Sequence, residues 1–339
     1  MNYKNRIKGS ALALTLLLAS TAGQAAENFR MGTLAPGTSN YIVLTTFANI
    51  VNEKLPEYKI QVNATGAGTR HIVDTASKRM EFMMHSPAVH ELMKAGTGPF
   101  AKLKAAPKLS EELRAVFNFL VGYYHIVTFA DSGIETLQDI KGKRVFLGPP
   151  GSASVTSTSA LLKAATGYEA GKDFEAVKLG WEAATQSFQD GHIDVYFNFT
   201  LPPSPAITQI AMMRDIRLLD IPAEARVNEE MKKLTSRPGF RLGTIPAGTY
   251  KSGQVNANDV AAVEVRATFA THKDMSEQAI YDMTKAFWEN VGAHAKNMHQ
   301  LSKLRLEDVF TDLNMPLHPG AVRYYQEQGM EIPEVALGK

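Results

Sequence analysis

Hydrophobic residues recur along this chain with two alternating periods. Phe29-Arg30-Met31-Gly32-Thr33 reads as a strand, and a Gly/Pro/Ser loop follows it. From Tyr41 to Lys54 the apolar positions Ile42, Phe47, Ile50 and Val51 recur at helical spacing. Lys59 to Thr65 returns to a period of two, with Ile60, Val62 and Ala64 on one side. Gly66-Ala67-Gly68-Thr69 turns that strand into a short helix ending near Lys78, and Glu81 to His85 reads as a buried strand. This βαβαβ order predicts a largely parallel sheet with helices on its faces. Residues 96–110, rich in Gly, Pro and Lys, read as a surface loop.

Leu113 to Ala130 is a long extended stretch that can cross from one lobe to another. The alternation then restarts, with strands at Arg144–Leu147, Ala176–Leu179 and Ile193–Phe197 and helices at Val155–Ala165 and Ala183–Gln189. Val260 to Thr271 reads as a return crossover. Ser276 to His294 is a periodic helix with Ser276 as its N-cap, and the helical C-terminal part carries a break at Pro319-Gly320. Two α/β alternations joined by long strands describe two similar lobes. The boundaries expected are 26–122 for the first part of lobe 1, 123–242 for lobe 2, and 243–339 for the return to lobe 1 with C-terminal helices.

Residues 1–25 stand apart from this pattern. Lys4, Arg6 and Lys8 precede an apolar run from Ala11 to Ala22, and Gly23-Gln24-Ala25 offers small residues before a cut. That is the layout of a secretory signal peptide cleaved near Ala25, and the run is too short for a membrane span. Losing those three cations moves the formal charge from +2 to −1, which removes the electrostatic basis for nucleic-acid or anionic-membrane binding. With no cysteine, the chain has no disulfide, thiol nucleophile, thiolate metal site or lipidated cysteine. The roughly 310 residues that remain can bury a large core and suit two lobes.

Three strand-to-helix turns share one design: Gly32-Thr33 through Ser39-Asn40, Thr65-Gly66-Ala67-Gly68-Thr69, and Gly148-Pro149-Pro150-Gly151-Ser152-Ala153-Ser154. Each can present backbone N–H groups and hydroxyls at a helix N-terminus, where the dipole favours an anion. In open α/β sheets ligands bind outside the carboxyl ends of the strands, so facing lobes would place these turns around one cleft. A capped helix start with nothing in its mouth is the plain alternative for each turn. Arg70, just after the second turn, can grip a carboxylate with two hydrogen bonds or stand solvated. Asn198 ends an apolar strand and needs a partner there. Tyr123-Tyr124 and Phe197 to Thr200 can wall a ligand or fill a core.

Dinucleotide and phosphate-loop motifs are absent, as are HExxH and G-x-S-x-G. His85/His90 and His294/His299 are five apart, which puts each pair on different helix faces or across a break. Met80, Met83 and Met84 read as core filler. No metal, cofactor or catalytic residue is expected, and an exported hydrolase or isomerase lacks its nucleophile and base.

Taken together, these residues resemble the solute receptors of TRAP transporters of the TAXI type, over essentially the whole mature chain. The segment Ala130-Asp131-Ser132-Gly133-Ile134 with Leu137 to Val145 is similar to the opening of the second lobe in many type II binding proteins. Gly148-Pro149-Pro150-Gly151-Ser152, Thr244 to Tyr250 and Pro316 to Tyr325 are similar to the TAXI group more narrowly. The resemblance implies an α/β type II periplasmic binding protein fold, with two lobes joined by crossover strands around a ligand cleft. It implies a monomeric periplasmic receptor that inserts in no membrane and delivers a small organic anion (a dicarboxylate or oxoacid, glutamate-like in some members) to an integral-membrane TRAP permease. A periplasmic sensor docking on a membrane receptor would look almost the same. Ligand contacts implied are Thr33, Ser39, Tyr41, Thr65, Gly66, Ser86, Gly151, Ser152, Ser154 and Asn198. The chain departs from the family pattern at Pro87 and Val155, where acidic residues are usual, and at Arg70. Those departures favour an anion without a free amine, bridged between Arg70 and the Gly151–Ser154 amides.

Overall fold

The computed structural model describes residues 26–338 except Ala35, Gly37, Gly66, Asn297 and His299, so the expected leader and the Gly66 contact lie outside the described residues. Strand β1 (Glu27–Gly32) buries Phe29 and Met31. Helix α1 (Ser39–Lys54) starts where the Thr38 hydroxyl accepts from the Tyr41 N–H, and it buries Val43, Leu44, Phe47, Ile50 and Val51. Strands β2 (Tyr58–Asn63) and β3 (Phe82–His85) flank β1 in parallel, connected through α2 (Gly68–Ala76). Helix α3 (Pro87–Lys94) follows directly. Residues 96–110 are not a plain loop: a 3-10 turn at Gly98–Phe100 and α4 (Ala106–Ser110) bury Phe100 and Ala106. Half-buried Leu103 and Leu109 pack against the same core, so the anchors fall at every third position from Phe100 to Leu109 amid Gly, Pro and Lys.

Strand β4 (Leu113–Phe129) is the expected long crossing. The second lobe then runs through β5 (Arg144–Phe146), α5 (Ala153–Thr166), β6 (Glu175–Ala176), α6 (Trp181–Gln189), β7 (Val195–Thr200), α7 (Pro205–Met213), β8 (Ile216–Leu218), α8 (Ala223–Arg226), α9 (Glu229–Thr235) and β9 (Phe240–Ile245). The strand expected at Ala176–Leu179 is only the two-residue edge β6. Strand β10 (Val260–His272) returns, and α10 (Glu277–Ala295) begins at Ser276, whose hydroxyl accepts from the Ala279 N–H. Pro319-Gly320 opens helix α11 (Pro319–Glu327) and does not break one. Proline suits the first helical turn, and a methyl on Gly320 would lie 2.3 Å from the Glu277 carbonyl oxygen on α10.

One ten-stranded sheet runs β2-β1-β3-β10-β4-β7-β5-β6, with β8 on β4 and β9 on β10. The first half of β4 pairs with the second half of β10, which also carries β3. The second half of β4 pairs with β7 and β8, and the first half of β10 with β9. Two strands thus belong to both lobes. This is the type II periplasmic binding protein fold, two α/β lobes on shared crossing strands. Lobe 1 packs around Phe47, Phe82, Phe117, Phe269 and Phe287, with the Phe47 and Phe269 ring centroids 4.7 Å apart. Lobe 2 has a cluster on each side of its sheet: Tyr124, Ile126, Leu147 and Phe197 on one, Phe129, Phe146, Phe188 and Tyr196 on the other. The alternation Phe197 against Tyr196 is the period of two expected of a strand.

Candidate functional site

Lobe 1 presents the carboxyl ends of β1, β2 and β3. At the first, Thr33 donates its N–H to Asn63 O at 2.9 Å, which ties the β1 end to the β2 end. The buried hydroxyls of Thr33 and Ser39 and the Oδ1 of Asn40 have no hydrogen-bond partner among the described residues. Tyr41 is half-buried, with its N–H held by Thr38. Gly32 is glycine for a reason: a methyl there would lie 2.8 Å from the His71 ring and 2.6 Å from Met80 Sδ. His71 in turn donates to Thr65 O at 2.8 Å, and Thr65, itself exposed, is held by Asn63 Oδ1 through both N–H and hydroxyl.

Arg70 goes elsewhere. Its side chain is 80% exposed, with Nε 3.4 Å from Asp74, a carboxylate that Arg79 also holds at 2.7 Å. With Arg30, Gln61, Asn63 and Arg79 it lines an open groove of about 570 Å³ in which none of the other candidate contacts takes part.

Ser86 caps the start of α3 without a side-chain hydrogen bond, followed by Pro87 at the first helical position. This turn is where the lobes meet. A methyl on Gly239 at the start of β9 would lie 2.8 Å from the Pro87 ring, and Ala88 packs against the lobe 2 cluster. Phe199 packs against the clusters of both lobes, its ring 5.0 Å from Tyr124.

Lobe 2 contributes the turn from β5 into α5. Gly148 has φ +126°, and a methyl there would meet Ser154 at 2.8 Å and the Ser152 hydroxyl at 3.4 Å, so no larger residue fits. Gly151 is exposed with φ +76°. Ser154 donates to Leu147 O at 3.3 Å and, with Ser157, contacts the buried Tyr124 hydroxyl, whose pKa burial pushes up to about 12. Ser152 is the N-cap of α5, yet its buried hydroxyl bonds to nothing described. Asn198 donates to Tyr196 Oη at 2.8 Å, on the opposite side of β7 from Phe199. Its amide is therefore already engaged on the α6 side of the sheet.

The first turns of α1, α2, α3 and α5 contain no acidic residue. Their free amide ends and dipoles favour an anion. Neither Ser152 nor Ser154 touches a histidine or carboxylate among the described residues, so neither is set up as a nucleophile. Away from these turns, Glu112, His272 and Asp274 bring ligand-type atoms within 4.8 Å of one another. Lys273, at 3.1 Å from Glu112, and Lys78, at 2.6 Å from Asp274, already neutralise those carboxylates. No helix among the described residues is long and apolar enough to cross a membrane.

Sequence reasoning missed Asn40. It occupies the first inward position of the α1 stripe that continues through Val43, Leu44 and Phe47, and a polar residue in such a stripe is the signal that could have found it. Compared with known proteins, residues 31–329 match the NMT1-like family. Among solved structures, the periplasmic aliphatic sulphonate binding protein SsuA from Escherichia coli is 13% identical over 93% of this chain and 91% of that one, with a TM-score of 0.44. The alkanesulfonate-binding protein SsuA from Xanthomonas axonopodis pv. citri, bound to MOPS, is 14% identical over 90% and 91%, with a TM-score of 0.47. A TRAP periplasmic solute binding protein from Ralstonia eutropha with bound (S)-2-acetolactate is 11% identical over 90% and 86%, with a TM-score of 0.44.

Proposed function

The chain belongs to the NMT1-like family, and from that premise we propose that it is an exported solute receptor of the TRAP type, TAXI subgroup, and not an enzyme. It captures a small organic anion, dicarboxylate or oxoacid-like, between its lobes in the periplasm and hands it to a membrane permease. The observation that carries this reading is the set of unpartnered buried hydroxyls in strand-to-helix turns on both lobes: Thr33 at the end of β1 and Ser39 at the start of α1 on one, Ser152 at the start of α5 on the other. A buried polar group without a partner costs about 1–3 kcal/mol, and a bound anion spanning the lobes removes that penalty on both sides at once. Contacts made only when the lobes close are what shift the open–closed equilibrium.

The anchor in this reading is the amide ends of α1, α3 and α5, and Arg70, turned into a separate groove toward Asp74, takes no part in it. The first turns of those three helices hold no carboxylate for an ammonium group, so a diacid without an amine is the preferred ligand. Calorimetric titration with succinate, 2-oxoglutarate and glutamate tests it. Binding of a diacid or oxoacid more tightly than glutamate is expected; a preference for glutamate overturns the ligand class. Steady turnover of any of them overturns the receptor reading.

A further inference from the structure

Beside the end of β3, four deeply buried side chains each carry a polar atom with no partner among the described residues. Thr268 on β10 is the direct cross-strand partner of both His85 on β3 and Asn118 on β4, so the three side chains form a row on one face of the sheet. His90 reaches the same place from α3, its ring centroid 5.7 Å from that of His85. His85, His90, Asn118 and Thr268 are each at most 4% exposed. The atoms lacking a partner are His85 Nε2, His90 Nδ1, Asn118 Oδ1 and Thr268 Oγ1.

Their hydrogens can be counted. His85 Nδ1 lies 2.8 Å from Ser86 O, and a carbonyl only accepts, so Nδ1 carries the proton and Nε2 is a bare lone pair. His90 Nε2 faces Ser110 O at 3.4 Å, which leaves Nδ1 bare in the same way. Asn118 donates its amide to Thr311 O at 2.9 Å, so its Oδ1 is a third acceptor. Against three acceptors stand two hydrogens at most, that of the Thr268 hydroxyl and the second of the Asn118 amide, whose first goes to Thr311 O, so at least one acceptor is left without a donor. Turning the side chains toward one another sets lone pair against lone pair. One water molecule supplies the missing hydrogen and accepts in return.

We propose that this row is a buried hydration site, in which internal water joins the crossing strands β4 and β10 to His85 and, through it, to the Ser86 carbonyl at the start of α3. A metal ion is the other occupant that bare imidazole nitrogens attract. No carboxylate or thiolate belongs to the row, so a divalent charge there would sit buried and uncompensated.

A high-resolution crystal structure of the full protein decides the matter, together with ¹⁵N-imidazole NMR and metal analysis. The expected result is a water within hydrogen-bonding distance of Thr268 Oγ1 and at least one bare nitrogen, with His85 protonated on Nδ1 and His90 on Nε2. In Thr268→Val that water is displaced and the bare-nitrogen resonances move. A dry row whose four atoms bond directly to protein groups overturns the proposal. So does one equivalent of tightly held metal. The wild-type protein alone separates these outcomes, whether or not the variant folds.

Discussion

Ser152 shows how one side chain can report on a site. A serine at a helix N-cap ordinarily accepts from an amide of the first turn, and replacing it costs about 1 kcal/mol. Here the hydroxyl makes no such bond and is buried, so Ser152→Ala should leave the ligand-free melting temperature unchanged or slightly raised. The same change should weaken ligand binding by about five- to tenfold, the scale of one neutral hydrogen bond. A variant that loses stability and keeps its affinity would show the serine to be an ordinary cap. Arg70 should behave in the opposite way to what its place in the sequence suggests. Exposed and shared with Asp74, it should cost less than about threefold in affinity on change to Ala, as exposed ion pairs contribute little. Titration of the two variants side by side checks both, and a tenfold loss with Arg70→Ala would return the anchor to that residue.

Among the elements, the long crossing strands, the parallel βαβαβ run of β1, β2 and β3 and the main helices were legible because long apolar runs and clean periods leave few alternatives. Short pieces were not. Residues 96–110 hold Phe100, Leu103, Ala106 and Leu109 against the core at every third position, a short pattern that the surrounding Gly, Pro and Lys outweighed. Helix α3 escaped because it begins immediately after His85 and its buried residues include Pro87 and His90 as well as Val89 and Met93. The turn into α5 could be read because glycine, proline and serine state their backbone roles directly, whereas the direction of Arg70 depends on Asp74 and Arg79, which no spacing rule brings together. Gly122 is an element-level feature of the same hidden kind. It sits in β4 where pairing passes from β10 to β7, and a methyl there would lie 2.3 Å from the Thr200 carbonyl carbon. Gly122→Ala should lower unfolding stability by about 1–3 kcal/mol, the range for forcing volume into a packed site. Urea denaturation measures this, and an unchanged midpoint would mean that β4 and β7 part freely at that point.

At the scale of the whole molecule, buried neutral histidines set the response to acid. Burial holds the pKa of His85 down at about 3 and those of His125 and His318 at about 4, and it lowers His90 and His272 as well. The unfolded chain binds these protons near pH 6.5, so below that pH it takes up more protons than the folded form does. Stability therefore falls as pH drops from about 6.5 toward the folded values, and these groups contribute no pH dependence above that window. At pH 5 each fully buried histidine that must stay neutral removes about 2 kcal/mol, and His85 and His125 together reach a large part of the roughly 5–15 kcal/mol that holds a domain folded. Carboxylates held below their usual range, such as Asp194 beside Arg144, also favour acid unfolding, but they do so only below about pH 5. The two classes are thus separated by where the loss begins. Melting temperatures should hold level from pH 7.5 to about 6.5 and then decline to pH 5, before any carboxylate titrates. His125→Gln keeps a neutral side chain opposite Tyr250, which lies 2.8 Å from the imidazole Nε2, and it should flatten the decline even if its neutral-pH stability is lower. A melting temperature constant down to pH 5 would show that these imidazoles find solvent or an acceptor when they take up a proton.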